Sequence, residues 1–236
     1  MNMLNTKNLY TSYGELSVVK DVNINVEKGE LISLFGPNGH GKTTLLKTIC
    51  GLIKPKSGEV NFNGSRLDRM DICEIVERGI VYVPEDRNLF TEMTVMENLI
   101  MGTNPIRARD SMKENLDYVF QLFPKLERIK DQLAGTLSGG EARMLTVGRG
   151  IMSNPEFMAI DEPSLGLAPN LRVEVFNSIK EIQKRGVSVF MVEQSTSMAA
   201  EIADRVYLME EGQIVYEGEP SEVFSDSKLK QVFFGL

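Results

Sequence analysis

Apolar and polar residues alternate in blocks along the chain, and the length and period of each block predict its secondary structure. Short, almost wholly apolar runs are typical of strands buried on both faces of a parallel sheet. The chain has such runs at 31–35, 80–83, 157–160 and 187–192. Longer polar or helical stretches separate them, so the pattern predicts an α/β fold in which strands and helices alternate.

The amino-terminal part of the chain has a different pattern. Val22, Ile24 and Val26 alternate with polar residues, which predicts short strands in the region before residue 30. Asn63-Gly64 follows the alternating segment 59–62 and has the composition of a tight β-hairpin turn. These features predict an antiparallel β subdomain ahead of the main sheet.

A helical stretch interrupts the alternation between 94 and 152, where apolar residues recur at helical spacing. The residues on one face of its central helix are Met112, Leu116, Val119, Phe120 and Phe123. Strands and helices alternate again after it. We therefore expect a single domain over 1–236, with a core at roughly 1–90 and 155–236 and an inserted helical lobe at roughly 91–154.

Composition and charge narrow the classes of partner. The chain has 236 residues, of which 42% are hydrophobic, and its net charge is −7. Nucleic-acid backbones bind clustered cations, so no nucleic-acid partner is expected for this acidic chain. No apolar run approaches the ~20 residues that cross a bilayer, and no secretion signal is recognised. Cys50 and Cys73 have no metal-ligand spacing and are expected to stay reduced inside the cell.

A glycine-rich loop follows the first buried run and matches the phosphate-binding pattern G-x-x-x-x-G-K-[ST]. Its residues are Gly36, Pro37, Asn38, Gly39, His40, Gly41, Lys42, Thr43 and Thr44. Glycines let successive backbone N–H groups turn towards phosphate oxygens, and the start of the following helix adds a partial positive charge. Lys42 is expected to reach the β- and γ-phosphates of a nucleotide, and the Thr43 hydroxyl is expected to bind Mg²⁺.

Two carboxylates end the apolar run at 157–160. Asp161 is expected to hold Mg²⁺, directly or through water, and Glu162 is expected to act as a general base on the attacking water. Paired carboxylates at a strand end can instead be helix-capping or surface charges. The phosphate-binding loop upstream favours the catalytic interpretation, because a nucleotide hydrolase needs both parts.

The stretch Leu-Ser-Gly-Gly-Glu at 137–141 precedes a predicted helix at 142–152. Ser138 could be only a helix cap, but such a helix start is also an anion site, formed by the Ser138 hydroxyl and the Gly139 and Gly140 amides. Here the chain resembles the ABC ATPase family, whose signature is LSGGQ, and its motifs follow the family's order along the whole chain. The resemblance implies a P-loop NTPase core in which this stretch contacts the γ-phosphate of ATP held by a second subunit.

The resemblance also implies roles for other positions. Tyr13 is similar to the aromatic residue that stacks on adenine, or else it is a packed strand tyrosine. The segment 164–167 resembles the loop that contacts the partner subunit. Glu85 stands where the family usually has glutamine, in the catalytic site and near the metal, and Gln194 replaces the usual switch histidine. Gln194 can donate to the γ-phosphate without carrying charge; the single histidine, His40, lies in the phosphate loop and is expected to be neutral.

Further residues resemble one branch of the family, the LivF ATPases of branched-chain amino-acid importers. The features that carry this similarity are Glu85, Glu141, Gln194 and the stretch 161–169. Asp86 stands where that branch usually has glycine, and Ala142-Arg143 replace its usual Gln-Gln. These differences bear on the substrate more than on the mechanism. The ATPases of urea and short-amide importers are similar and remain an alternative.

The resemblance implies that the chain is one subunit of a transporter complex with several partners. A membrane permease would convert ATP-driven closure and opening into transport, and the segment 85–96 would form the groove that receives its cytoplasmic helix. A second ATPase subunit, either a paralogue or a second copy, would complete the nucleotide sites. A substrate-binding protein would act indirectly. The chain is then expected in the cytoplasm, peripheral on the inner face of the cell membrane through the permease.

Other classes of nucleotide-hydrolysing protein fit the residues less well. ATPase heads of DNA-repair proteins separate loop and signature by a very long coiled coil, whereas no heptad run lies between Thr44 and Leu137. Translation factors of this family carry two cassettes in one chain. A switch GTPase would show the guanine-specific Asn-Lys-x-Asp, which the sequence lacks. An exporter ATPase shares the same machinery and remains an alternative.

Overall fold

The fold is described by a computed structural model that gives the placement of residues 2–194 and 196–225. Its strands, in chain order, are β1 (Asn2–Tyr13), β2 (Leu16–Val22), β3 (Asn25–Glu27), β4 (Leu31–Phe35), β5 (Ser57–Phe62), β6 (Ser65–Arg66), β7 (Ile80–Val83), β8 (Phe157–Asp161), β9 (Ser188–Val192), β10 (Arg205–Glu210) and β11 (Gln213–Gly218). Its helices are α1 (Lys42–Ile49), α2 (Ile72–Glu77), α3 (Val95–Met101), α4 (Ile106–Arg109), α5 (Met112–Leu122), α6 (Pro124–Arg128), α7 (Gly139–Met152), α8 (Pro169–Lys184), α9 (Thr196–Ile202) and α10 (Pro220–Ser225). None of the helices in these described residues is both long enough and apolar enough to span a bilayer.

The amino-terminal strands form an antiparallel sheet of order β2-β1-β5-β6, in which β3 also pairs with β1. The β5–β6 hairpin turns at Asn63 and Gly64, whose φ angles of 46° and 79° are those that an Asn-Gly turn requires. The turn was predicted, but the prediction of short strands is wrong for β1, which runs for 12 residues. Register shifts along β1 let one continuous strand pair with β2, β3 and β5.

The central sheet has the order β11-β10-β4-β9-β8-β7, and the five strands from β10 to β7 are parallel. Both faces of this sheet are covered, so every residue of β4, β8 and β9 is buried. Along β4, Leu31 and Phe35 pack in one core with residues of α7 and α8. Ile32 and Leu34 pack in the other core with residues of α1 and the antiparallel sheet. The architecture is the predicted α/β fold.

Helices α3 to α7 lie between β7 and β8, and we call residues 95–152 the helical lobe. α7 packs against α3, α5 and α6 and against β7 of the core. It begins at Gly139 and not at residue 142 as predicted, because the Ser138 side chain accepts a hydrogen bond from the Glu141 N–H and caps an earlier turn. The signature stretch is therefore the first turn of this helix.

The order of the parallel strands brings several chain segments to one edge of the sheet. β4, β9, β8 and β7 are neighbours that point in the same direction, so their carboxyl ends lie side by side. The loop at 36–41 follows β4, Gln194 follows β9, Glu162 follows β8 and Glu85 follows β7. This edge is where open α/β sheets bind their ligands.

Candidate functional site

The loop between β4 and α1 turns through positive φ angles at its glycines and leads directly into the uncapped start of α1. Gly39 and Gly41 have φ angles of 81° and 101°, which residues with side chains rarely adopt. A Cβ on Gly41 would lie 2.8 Å from the carbonyl oxygen of Val18, so this glycine also permits close packing on β2. No side chain caps α1, so the N–H groups of its first turn are available to an anion.

Lys42 is buried against the loop that precedes it, with 4% of its surface exposed. Its ammonium donates to the carbonyl oxygen of Gly36 at 2.7 Å and to that of Pro37 at 3.0 Å. Burial lowers the pKa of Lys42, and the carboxylates of Glu162 and Asp161 oppose that effect. Phosphate oxygens would replace these neutral acceptors with charged ones, which form stronger hydrogen bonds.

His40 connects the phosphate-binding loop to the turn between β10 and β11. Its Nδ1 accepts a hydrogen bond from the backbone N–H of Glu211 at 3.0 Å. His40 therefore has a structural contact within the chain, separate from the carboxylates of the site.

Asp161 is fully buried at the end of β8, where two hydroxyl groups hold its carboxylate. Thr43 Oγ1 donates to one oxygen at 3.1 Å, and the Tyr82 hydroxyl donates to the other at 2.8 Å. Burial raises the pKa of Asp161, and both hydrogen bonds oppose that rise. Burial and the Asp161 charge raise the pKa of Tyr82, which keeps the phenol protonated as a donor. Tyr82 was not predicted as a site residue, because no local sequence pattern marks it and its contact with Asp161 follows from the pairing of β7 with β8.

Glu162 and Gln194 are in direct contact. Gln194 Nε2 donates to Glu162 Oε2 at 2.5 Å, and Gln194 Oε1 accepts from Asn38 Nδ2 at 3.3 Å. One amide thus links the phosphate-binding loop to the second carboxylate of the site. Glu162 has a φ of 44° and donates its backbone N–H to the Val192 carbonyl at 3.0 Å. A positive φ at a non-glycine residue is uncommon, and such strain clusters at functional sites.

A cavity of about 340 Å³ collects most of these groups. The residues that line it are Val18, Asn38, Gly39, Gly41, Lys42, Thr43, Thr44, Glu85, Glu162 and Gln194. Burial raises the pKa of Glu85, and the charges of Glu162 and Asp161 add to that rise. The structure thus brings the three residues predicted to be catalytic to the phosphate-binding loop, and Thr43 joins Asp161 to the same site.

Seven residues predicted to contact nucleotide do not line this cavity: Gly36, Pro37 and His40 of the loop itself, and Tyr13, Ser138, Gly139 and Gly140 from elsewhere in the chain. Ser138 caps α7: its hydroxyl accepts from the Glu141 N–H at 3.4 Å, and its own N–H donates to the Glu141 carboxylate at 2.7 Å. Gly139 and Gly140 begin the helix. Tyr13 ends β1 with 52% of its surface exposed, so its ring is open to stacking. The chain does not bring the first turn of α7 to its own phosphate-binding loop.

The arrangement has the parts that nucleoside triphosphate hydrolysis needs. Loop N–H groups and Lys42 can bind phosphate oxygens, and Thr43 and Asp161 offer oxygen ligands of the kind that Mg²⁺ prefers. Glu162 offers a carboxylate base, and Gln194 holds it beside the loop. The site therefore defines a nucleotide-hydrolysing enzyme.

Residues 19–165 match the family model described as ABC transporter. The match covers more than half of the chain, and the chain belongs to this family. Together with its relatives and its structural neighbours, the match identifies the chain as a transport ATPase, the ATP-binding subunit of an ABC transporter.

The most similar relatives include branched-chain amino-acid transport ATPases, as the sequence resemblance predicted. The chain is 40% identical to the high-affinity branched-chain amino acid transport ATP-binding protein BraG of Pseudomonas aeruginosa, with 99% of this chain and 100% of that protein covered. It is 32% identical to the probable LivF protein of Archaeoglobus fulgidus, with 99% of each covered. It is also 32% identical to the lipopolysaccharide export system ATP-binding protein LptB of Haemophilus influenzae, over 100% of this chain and 98% of that one.

Solved structures of similar proteins have the same fold. The ADP conformation of MJ1267, an ATP-binding cassette of an ABC transporter, aligns over 100% of both chains with a TM-score of 0.84 and 32% identity. The cassette MJ0796, in a dimeric post-hydrolysis state with ADP and Pi, covers 92% of this chain and aligns over 99% of its own length, with a TM-score of 0.81 and 25% identity. The α/β fold class is confirmed.

We predict that Lys42→Ala abolishes ATP hydrolysis and weakens ATP binding. The ammonium neutralises charge on the β- and γ-phosphates, and methyl cannot replace it. Lys47→Ala, one turn and a half further along α1, is the control and should keep its activity. ATPase rates and nucleotide affinity of both variants, assembled with their partner, give the comparison. Hydrolysis near the parent rate in Lys42→Ala would show that this loop is not the phosphate site.

Proposed function

We propose that the chain powers the uptake of branched-chain amino acids as the ATPase subunit of an importer. The observation that carries this proposal is the 40% identity to BraG over the whole chain. The LivF relative supports it. The 32% identity to LptB makes an export system the second candidate, because the same ATPase chemistry serves transport in either direction.

Mg²⁺ fits the oxygen ligands around Thr43. The Thr43 hydroxyl and one Asp161 oxygen lie 3.1 Å apart, and Glu85 lines the same cavity. Protein sites for nucleotide-bound Mg²⁺ use one or two such ligands, and phosphates and water complete the octahedron. Bound there, Mg²⁺ would neutralise charge on the β- and γ-phosphates. Tyr82 binds the other Asp161 oxygen and so keeps the carboxylate turned towards Thr43.

Glu162 is the proposed general base, and Lys42 and Gln194 act on the phosphates. On ATP binding, the Lys42 ammonium would exchange the carbonyls of Gly36 and Pro37 for β- and γ-phosphate oxygens. Glu162 would then accept a proton from the attacking water. Gln194 uses one amide N–H to hold Glu162, and its second N–H remains for the γ-phosphate.

Two ATPase subunits would be needed to complete each site. Ser138 and the α7 amino terminus lie away from the cavity of their own chain, which supports contact with ATP on a second subunit. Tyr13 would stack on the adenine of the nucleotide in its own loop. Leu165 has 43% of its surface exposed, and Ser164 beside it is fixed by a 2.8 Å bond from its N–H to Glu193. The segment 164–167 would therefore present Leu165 to the partner subunit.

A second cavity, of about 550 Å³, lies between the core and the helical lobe. Met101 contributes exposed apolar surface to it from the helical lobe and Phe90 from the loop that precedes the lobe. Leu52 and Ile72 do so from the core side. We propose that this groove, which includes part of the segment 85–96, receives a cytoplasmic helix of the membrane permease. The chain would then lie on the inner face of the membrane, and a substrate-binding protein would act through the permease.

Glu162→Gln is expected to bind ATP and to lose turnover. The amide keeps the shape of the side chain but cannot accept a proton, which removes a contribution of about 10²-fold or more. The ATPase rate of the assembled transporter should fall by that factor, and an ATP-stabilised dimer should persist on size exclusion with Mg²⁺. The exposed Glu127→Gln serves as the control. Rapid turnover in Glu162→Gln would point to another base.

Ser138→Arg tests the shared nucleotide site. A long cation at the start of α7 should block closure on the partner's ATP, because it fills the space of the γ-phosphate. The Lys42 loop of the same chain is untouched, so nucleotide binding by the isolated variant should survive. Hydrolysis should be lost at the partner's site. Loss of ATP affinity in the isolated variant would mean that Ser138 acts on nucleotide in its own chain, and the two-subunit model would fail.

The proposed substrate is tested by transport. The ATPase is reconstituted in vesicles with its permease and substrate-binding protein, and leucine and urea uptake are compared. ATP-dependent accumulation of leucine, absent with Lys42→Ala, is the expected result. Accumulation of urea alone, or outward movement of a lipid substrate, would overturn the assignment to amino-acid import while leaving the ATPase chemistry intact.

A further inference from the structure

The loop that carries Glu85 is bound along helix α7 by two arginines of that helix. Arg143 donates from Nη1 to the carbonyl of Pro84 and from Nη2 to the carbonyl of Glu85, both at 2.9 Å. Further along α7, Arg149 donates to the carbonyl of Arg87 at 3.1 Å. Glu85 therefore cannot change its backbone position relative to α7 without breaking a bond to Arg143.

Arg143 is the largest of the fully buried side chains in the described part of the chain, with 1% of its surface exposed. Burying a guanidinium is costly unless hydrogen bonds and charges compensate it. The Arg143 Nε has no hydrogen-bond partner. The two hydrogen bonds of the guanidinium start from Nη1 and Nη2 and go to the Pro84 and Glu85 carbonyls. An apolar residue could fill the same space at a lower desolvation cost, which indicates a positional role for the cation.

The guanidinium lies beside the acidic side of the nucleotide cavity. Burial lowers the pKa of Arg143 and the Arg87 charge adds to that effect, whereas the carboxylates of Glu193, Glu85 and Asp161 oppose it. Arg143 thus holds the Glu85 backbone by hydrogen bonds and attracts the Glu85 carboxylate by charge. Both effects act on one of the groups that line the cavity with the phosphate-binding loop.

We propose that Arg143 is a positioning residue for ATP hydrolysis, which holds Glu85 at the cavity and makes it move with α7. The inference rests on the proposed role of Glu85 at the metal. α7 begins at the signature turn that Ser138 caps. If that turn moves to bind a second subunit's nucleotide, the whole of α7 moves with it, and Arg143 moves the Glu85 backbone in turn. Closure of the two subunits and placement of Glu85 are then a single event.

Arg143 could instead have a purely structural role, in which it only attaches the helical lobe to the core. Arg107 is the matched control for this alternative. Arg107 also lies in the lobe, and its Nη2 pairs with Glu156 of the core at 3.1 Å. Its side chain is mostly buried, and its Nε, like that of Arg143, has no partner. Arg107 does not line the nucleotide cavity, and its described hydrogen bonds go to Glu77 and Glu156. Arg107→Met therefore loosens the lobe without touching Glu85.

The test compares Arg143→Met, Arg143→Lys, Arg107→Met, Glu85→Ala and the double variant Arg143→Met/Glu85→Ala in the assembled transporter. Arg143→Met should lower kcat by about tenfold to a hundredfold, the cost of misplacing a catalytic group by an ångström. Nucleotide affinity should stay at the parent value, because the Lys42 loop is unchanged. Arg143→Lys, which can still donate to one carbonyl, should recover part of kcat. Arg107→Met should keep the parent kcat.

The double variant separates action through Glu85 from action elsewhere. If Arg143 works through Glu85, adding Arg143→Met to Glu85→Ala produces no further loss of kcat. If the kcat loss in the double variant is the product of the losses in the two single variants, the inference is overturned. The same holds if kcat is unchanged in Arg143→Met but lost in Glu85→Ala. Either result leaves the proposed role of Glu85 intact. An unchanged kcat in Glu85→Ala would overturn both. Thermal unfolding of each variant identifies losses of kcat that come from misfolding. A kcat loss in Arg107→Met equal to that in Arg143→Met would also contradict the proposal.

Discussion

The parallel order of β4, β9, β8 and β7 is the constraint on which the site depends. Each strand ends at the same edge of the sheet, so segments that are distant in sequence become neighbours there. The hydrogen bond from Thr43 to Asp161 spans 118 residues, and the one from Gln194 to Glu162 spans 32. Both contacts depend on this order, because Asp161 and Glu162 lie at the end of β8, whereas Thr43 and Gln194 follow β4 and β9.

Several carboxylates lie close together and partly buried at this edge of the sheet, which disfavours their charged forms. Burial raises the pKa of Asp161 and of Glu85, and the neighbouring carboxylates raise the pKa of Glu85 further. Lys42, itself with a pKa lowered by burial, is the cation that lines the cavity. Carboxylates with so little compensation within the cavity support the proposed Mg²⁺ site, because a divalent cation would remove their mutual repulsion. The buried Arg143 guanidinium, bonded to the Glu85 carbonyl, lowers the pKa of Glu85 and so opposes part of this rise.

Sequence reasoning predicted the parts of the site that depend on local pattern. The loop at 36–44, the carboxylates at the end of β8 and the Asn63-Gly64 turn each have a signal within a few residues. Tyr82, Arg143 and the contact between Asn38 and Gln194 have no such signal, because their partners are set by strand order and by the packing of α7 on the core. The start of α7 was placed too late for a related reason. Glycines are poor helix formers, and the capping box of Ser138 outweighs that preference.

The capping box also bears on whether Ser138 can serve two purposes. Its hydroxyl accepts the Glu141 N–H, and its backbone N–H donates to the Glu141 carboxylate. These bonds to Ser138, with Lys125 nearby, hold the pKa of Glu141 at about 2, so the carboxylate stays charged and the cap stays formed at any physiological pH. A hydroxyl that accepts one hydrogen bond still has its own proton to donate. The cap therefore fixes the orientation of Ser138 and leaves its hydroxyl proton available to donate, as the proposed contact with a second subunit's nucleotide requires.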